Sequence, residues 1–205
     1  MKTRIILPDT EGISEAGAIL RDGGLVAFPT ETVYGLGANA LDAVATKHIY
    51  EAKGRPSDNP MIVHVASIDM LNEVASDVTD EQKAIMSKLW PGPITFVLRK
   101  NPNVPDVTTG GLDTVAVRWP ARREAAEIIE AAGVPIAAPS ANLSGKPSPT
   151  IFEDVAEDMD GRIDAIVKGE RTAIGIESTV LDLTSEIPTI LRPGFITKSQ
   201  IEEAV

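Results

Sequence analysis

The sequence predicts one α/β domain built on a mixed sheet, and three observations predict it. Short apolar runs with β character alternate with helical runs along all 205 residues, with no gap that would split them into units. The strand candidates are numerous, short and separated by loops, which favours a mixed sheet over a regular βαβ series. Hydrophobic residues make up 43% of the chain, and a domain of this size buries roughly 70% of its unfolded surface. No internal repeat or low-complexity tract interrupts the pattern.

Each element has its own reason. Arg4–Leu7 is a first short strand, and Gly12–Arg21 reads as a helix stopped by Asp22-Gly23-Gly24. Leu25–Phe28 is a compact apolar strand ended by Pro29, and Thr30–Gly37 reads as a polar, glycine-bearing loop. Asp42–Glu51 is helical with Asp42 as its cap. Pro60–Val65 is a short strand, followed by helical signals over Asp69–Val74 and Asp80–Leu89. Pro91-Gly92-Pro93 forces a turn, and Ile94–Leu98 and Thr114–Arg118 are strands. Arg122–Ala132 is a helix with Gly133 as the residue after its end, and Val134–Ala138 is a strand running into Pro139–Lys146. Ile151–Met159 is a short acidic helix, Ala165–Val167, Ser178–Leu183 and Thr189–Leu191 are strands, and Thr197–Ala204 closes as a helix.

Composition excludes several chemistries. There is no Cys, so there is no disulfide framework, thiolate nucleophile or Cys zinc site. His48 and His64 are the only histidines, which rules out a three-histidine metal site. Thirty acidic against 19 basic residues give −11, which argues against a nonspecific binder of nucleic acid or anionic membrane but not against a local basic pocket. The start, with Lys2, Arg4 and Asp9, has no apolar core of a signal peptide, and no run approaches the ~20 apolar residues of a membrane span. The expectation is a complete cytoplasmic chain, one unit over residues 1–205, with no membrane contact.

Polar clusters sit where strands end. Lys53-Gly54-Arg55 places two cations around a glycine, between Pro-bounded turns; such a pair suits a phosphate-rich ligand or, equally, a solvated loop ending a helix. Ser140 and Asn142 leave a strand together, with Gly145 permitting close approach, as a phosphate or adenine contact or as a plain Ser/Asn turn. Ser140 as a hydrolase nucleophile lacks a base and its orienter. Thr30 and Thr32 offer hydroxyls to a carboxylate or amine, Glu31 offers a partner for a cation, and Tyr34 serves substrate or core. His64 lines a polar pocket or sits satisfied at the core edge. Arg118 ends a strand, as a bidentate carboxylate holder or a strand-end salt bridge. Ser178 and Arg192 are late polar groups that could join the same pocket, and Glu177 and Arg192 could instead pair structurally. Neither the Gly35/Gly37 pair nor Gly169–Gly175 has the spacing of a dinucleotide fingerprint or a P-loop.

Taken together, PTETVYGLG (Pro29–Gly37), KGRP (Lys53–Pro56), PSANLSG (Pro139–Gly145), STV (Ser178–Val180) and RPG (Arg192–Gly194) closely resemble the YrdC-like family of threonylcarbamoyl-adenylate synthases. The pieces stand in family order and span nearly the whole chain. The resemblance implies an open, twisted α/β sheet with a large concave, positively charged pocket, in a short form without the C-terminal domain of longer relatives. It implies a nucleotidyltransferase that makes threonylcarbamoyl-AMP and pyrophosphate from L-threonine, bicarbonate or CO2, and ATP with Mg2+ on its phosphates. The product would feed threonylcarbamoyladenosine formation at tRNA position 37 through a downstream transferase machinery, with weak RNA binding at most.

Carried residue by residue, the resemblance puts Thr32, His64, Arg118, Ala138 and Ser178 at threonine. It puts Lys53, Arg55, Asn59, Thr114, Ser140, Asn142, Ser148 and Arg192 at the nucleotide, with Lys53 and Arg55 as the catalytic pair. Three rivals stay open at this point: a carbamoyl-phosphate-using domain of hydrogenase maturation, an RNA-binding module, and an inactive homologue kept as a structural partner.

Overall fold

The computed structural model describes residues 2–205. Along the chain run β1 (Arg4–Ile6), α1 (Thr10–Arg21), β2 (Val26–Pro29), β3 (Tyr34–Asn39), α2 (Ala43–Lys53), β4 (Ile62–His64), α3 (Ile68–Val74), α4 (Asp80–Leu89) and β5 (Ile94–Arg99). They are followed by α5 (Asp106–Thr109), β6 (Thr114–Arg118), α6 (Arg123–Ala132), β7 (Ile136–Ala137), α7 (Phe152–Met159), β8 (Ala165–Val167), β9 (Thr179–Asp182), β10 (Thr189–Arg192) and α8 (Lys198–Ala204). The strands form one open, twisted ten-stranded sheet in the order β1-β8-β2-β3-β7-β4-β6-β5-β9-β10. It is mixed: β1/β8, β2/β8, β4/β6 and β5/β9 are parallel, and the remaining neighbours are antiparallel. Among the described residues no helix is long and apolar enough to cross a membrane.

Local chemistry sets the boundaries. Asp9 caps α1 through the Gly12 N–H, so that helix begins two residues before the expected Gly12. Asp42 caps α2 by accepting from the Val44 and Ala45 N–H groups. At the other end of α2, Gly54 takes the left-handed conformation (φ 60°) and turns the chain so that Lys53 and Arg55 face different surroundings. Helix α1 packs on α6, and both lie over β2.

Two elements differ from the sequence reading. The Thr30–Gly37 segment is a tight turn at Thr30–Val33 that leads into β3, which pairs with β2 from Pro29↔Tyr34 to Val26↔Gly37. Strand β3 is buried along both faces, so it has no polar alternation to announce it. Gly37 is a packing requirement: a Cβ there would lie 2.7 Å from the Phe28 ring and 2.9 Å from Ile136 Cγ2. The short helix α5 also escapes the sequence pattern, since four residues are too few for a helical period.

Candidate functional site

Register builds the floor of the site. Residues facing each other on neighbouring strands point to the same side of a sheet. His64 of β4 pairs with Arg118 of β6, Arg118 pairs with Thr95 of β5, and Thr95 pairs with Val180 of β9. Two residues back, Ile62, Ala116 and Val97 form a second row on that side. Apart from Thr95, these rows line a cavity of about 510 Å³, which Thr30, Thr32, Ala138, Ser140, Ser178 and Arg192 also border. A cavity of that size suits a small-molecule ligand.

The floor is densely bonded. Arg118 is 4% exposed. Its Nη1 donates to Thr32 Oγ1 at 2.8 Å, and its Nε points to the Gly92 carbonyl at 3.4 Å. Its Nη2 pairs with Glu31 Oε1 at 2.6 Å, a close ion pair on the floor. Thr32 and Thr30 share a hydroxyl–hydroxyl bond of 2.9 Å, and the Thr30 hydroxyl donates to the Val33 carbonyl. Burial pulls the Arg118 pKa down and Glu31 opposes it, which leaves a guanidinium that stays charged. The bidentate fork expected of Arg118 is therefore partly engaged within the protein.

His64 is buried beside this group. Desolvation, with Arg118 adding to it, lowers its pKa to about 3, so the ring is neutral near pH 7. Its Nδ1 lies 3.3 Å from the Ile62 carbonyl. Across the floor, the Ser178 and Thr95 hydroxyls bond at 2.7 Å, and Arg192 donates to the Ser178 carbonyl at 3.0 and 2.8 Å and to its hydroxyl at 3.1 Å. Ser178 thus joins the floor to the arginine of the rim. The Glu177–Arg192 pairing considered from sequence is not formed; Glu177 accepts from the Ser148 hydroxyl at 2.5 Å. That bond, with Arg192 as a lesser aid against partial burial, holds the Glu177 carboxyl below its ordinary range.

The Pro139–Lys146 loop is anchored from behind. Lys53, 3% exposed, donates through Nζ to the carbonyls of Ser140 and Asn142. Burial, and secondarily Arg55, lowers its pKa to about 8. The Asp158 carboxylate accepts from the Leu143 N–H at 3.0 Å and from Lys146 at 2.5 Å. Burial opposes ionisation of Asp158, but those two donors outweigh it and leave its pKa lowered. The Asn142 amide donates to the Leu143 and Lys146 carbonyls.

The rim is looser. Arg55, half-buried and stacked 5.9 Å above the Tyr50 ring, donates only to the Asn59 and Pro60 carbonyls at 3.3 Å. Burial lowers its pKa, with Tyr50 and Asp58 opposing.

Of the expected site residues, Thr32, Arg55, Asn59, His64, Thr114, Arg118, Ala138, Ser140, Ser178 and Arg192 border the one cavity. Lys53, Asn142 and Ser148 do not. Lys53, expected at the nucleotide, turns its ammonium to two loop carbonyls in this structure. Asn142 is turned into its own loop, and Ser148 reaches the wall only through Glu177. The sequence reading passed over Thr95, whose signal was a lone polar residue in the apolar run Ile94–Leu98.

Electrostatically, Arg55, Arg118 and Arg192 line the cavity against one carboxylate, Glu177. Among the described residues no three His, Asp or Glu side chains gather as metal ligands.

Comparison with known proteins places this geometry in a family. The family model Sua5_yciO_yrdC, described as "Telomere recombination", matches residues 18–194. A Pyrococcus abyssi protein named threonylcarbamoyl-AMP synthase is 56% identical over 190 residues, covering 93% of this chain and 56% of the relative. A Bacillus subtilis protein of the same name is 55% identical over 195 residues, covering 94% of this chain and 56% of the relative. The crystal structure of P. abyssi Sua5 complexed with L-threonine superposes with a TM-score of 0.95 at 52% identity, covering 100% of this chain and 61% of that one. The chain thus spans a little over half the length of these relatives.

Proposed function

The chain belongs to the Sua5_yciO_yrdC family, and from that premise we propose that it joins L-threonine, bicarbonate or CO2, and ATP into threonylcarbamoyl-AMP and pyrophosphate. The observation that carries this reading is the charge of the cavity: three arginines and one carboxylate line it in a chain of net charge −11. Such a concentration suits an amino-acid carboxylate and a triphosphate held side by side. The names of the relatives support the same substrates.

The floor takes threonine. Arg118 holds its carboxylate, with Thr32, the neutral His64, Ser178 and the Ala138 backbone around it. With the carboxylate pinned, the amine is the end left to react. It adds to CO2, loses a proton and becomes a carbamate. A carbamate oxygen then bonds to the α-phosphorus of ATP, and the bond from that phosphorus to the bridging oxygen breaks with its electron pair on pyrophosphate. Arg55 and Arg192 offset charge on the phosphates as it shifts, while Asn59, Thr114 and Ser140 border the nucleotide. Lys53 and Asn142 keep the Ser140 loop in place, and Ser148 steadies Glu177. Magnesium enters with ATP as part of that substrate, and no step is assigned to a protein-held metal. The product is a mixed anhydride suited to transfer onto adenosine 37 of tRNA by a separate transferase, and a cytoplasmic location is part of the same proposal. The acidic exterior leaves RNA contact weak.

Incubation of the protein with threonine, bicarbonate and Mg·ATP tests the reading. Pyrophosphate release that requires threonine, and falls when serine replaces it, is the expected result. Folded protein that releases none, or releases it without threonine, contradicts it.

A further inference from the structure

Glu31 lines no part of the cavity, yet it touches the residue on which the floor turns. We propose that Glu31 is a positioning residue, which holds the Arg118 guanidinium at the place on the floor where it takes the threonine carboxylate. The inference rests on the proposed function and adds a residue that carries no role in it.

Two observations lead there. First, the Glu31 carboxylate is itself held fast. Its Oε2 faces the Arg122 N–H at 3.4 Å, at the start of α6, where the helix dipole favours a negative charge. Its backbone carbonyl accepts from the Ile174 N–H, and the Thr32 carbonyl accepts from the Gly175 N–H, so the 174–175 segment straps the turn in place. Second, the guanidinium is divided by its neighbours. Nη1 is committed to Thr32 Oγ1, and Nε faces the Gly92 carbonyl. Nη2 pairs with Glu31 Oε1 at 2.6 Å, and that oxygen is the one charged partner of the three. A charge-assisted contact is stronger than a neutral one, so it dominates the orientation of the fork. Glu31 thereby fixes where the guanidinium sits.

The effect should fall on threonine alone, because Glu31 touches nothing on the Arg55 or Arg192 side of the cavity. Glu31→Gln keeps shape and removes charge. The expected outcome is a threonine KM raised roughly tenfold or more, the scale of a lost charge-assisted contact, with the ATP KM within about twofold. Glu31→Asp keeps the charge on a shorter arm and should place the threonine KM between wild type and the glutamine variant. It also serves as the test if Glu31→Gln does not fold, since it should still raise the threonine KM above wild type with the ATP KM unmoved. Unchanged threonine KM, or threonine and ATP KM values rising together, overturns the proposal. An aspartate variant no better than glutamine also overturns it. If the wild-type protein shows no threonine-dependent turnover, the proposed function itself falls, and this inference with it; a wild type that turns over beside a silent Glu31→Gln effect removes the inference alone.

Discussion

On the floor of the cavity Arg118, Thr32 and Ser178 are each at most 4% exposed, and each is hydrogen-bonded to another side chain of the site. On the rim Arg55 is half-buried, Asn59 is exposed, and the 55–60 loop is tied through two backbone carbonyls at 3.3 Å. On the proposed function, the difference teaches how one site would serve two ligands. A small amino acid differs from its analogues by a methyl or a hydroxyl, so its contacts must be fixed before it arrives. A triphosphate carries enough charge to organise mobile partners as it binds.

The largest test of that contrast is a paired substitution. Arg118→Gln leaves the Glu31 carboxylate buried without its counter-charge, which costs about 3–5 kcal/mol of stability, and threonine binding should be lost. Arg55→Gln on the rim should cost under ~1 kcal/mol of stability while raising the ATP KM roughly 10–100-fold. Urea unfolding and steady-state kinetics of the two variants read both numbers. Equal stability losses would erase the distinction between floor and rim.

The uneven legibility of the sequence follows the same division. The rim motif Lys53-Gly54-Arg55 stands out as paired cations around a glycine, and Ser140 and Asn142 stand out at a strand exit. The floor is a product of register: His64, Arg118 and Thr95 become neighbours only because β4, β6 and β5 pair residue against residue. No spacing in the chain encodes that pairing. Strand β3 was hidden because burial on both faces removes alternation and its glycines imitate a loop. Lys53 was legible as a cation but not in its direction, which its place on the buried face of α2 sets. Most helices were readable because half-buried faces and caps such as Asp42 mark them, and buried strands such as β2 and β8 because their apolar runs hold no glycine.

The floor should also respond to acid. His64 has a folded pKa of about 3 against an ordinary 6.5. It is neutral in both states above pH 6.5, so its share of stability is fully present there. As pH falls from 6.5 towards 3 the unfolded chain takes up a proton that the folded ring refuses, and stability drops by a few kcal/mol. Unfolding measured at pH 7.5, 5 and 4 should show that slope, and His64→Asn should lack this share of it. An unaltered slope in the variant would place the acid sensitivity elsewhere.

Behind the rim, Lys53→Met removes the donor for the Ser140 and Asn142 carbonyls and should cost about 1–3 kcal/mol, with the ATP KM rising more than the threonine KM. In the wild type, the charged Lys53 is the costly form inside the fold. Stability should therefore rise between its folded pKa of about 8 and the ordinary 10.5, an increment that Lys53→Met abolishes. A variant whose loss falls mainly on threonine would move Lys53 to the floor.

Pyrophosphate release alone does not separate a threonylcarbamoyl adenylate from a threonyl adenylate, in which the amino acid's own carboxylate attacks ATP. The distinction depends on Arg118 pinning that carboxylate against the floor. The direct measurement is mass spectrometry of the nucleotide formed from threonine, ATP and ¹³C-bicarbonate. The expected product is threonylcarbamoyl-AMP carrying the label. An unlabelled threonyl adenylate, with its carboxylate on phosphorus, would contradict the assignment of Arg118 and the reaction built on it.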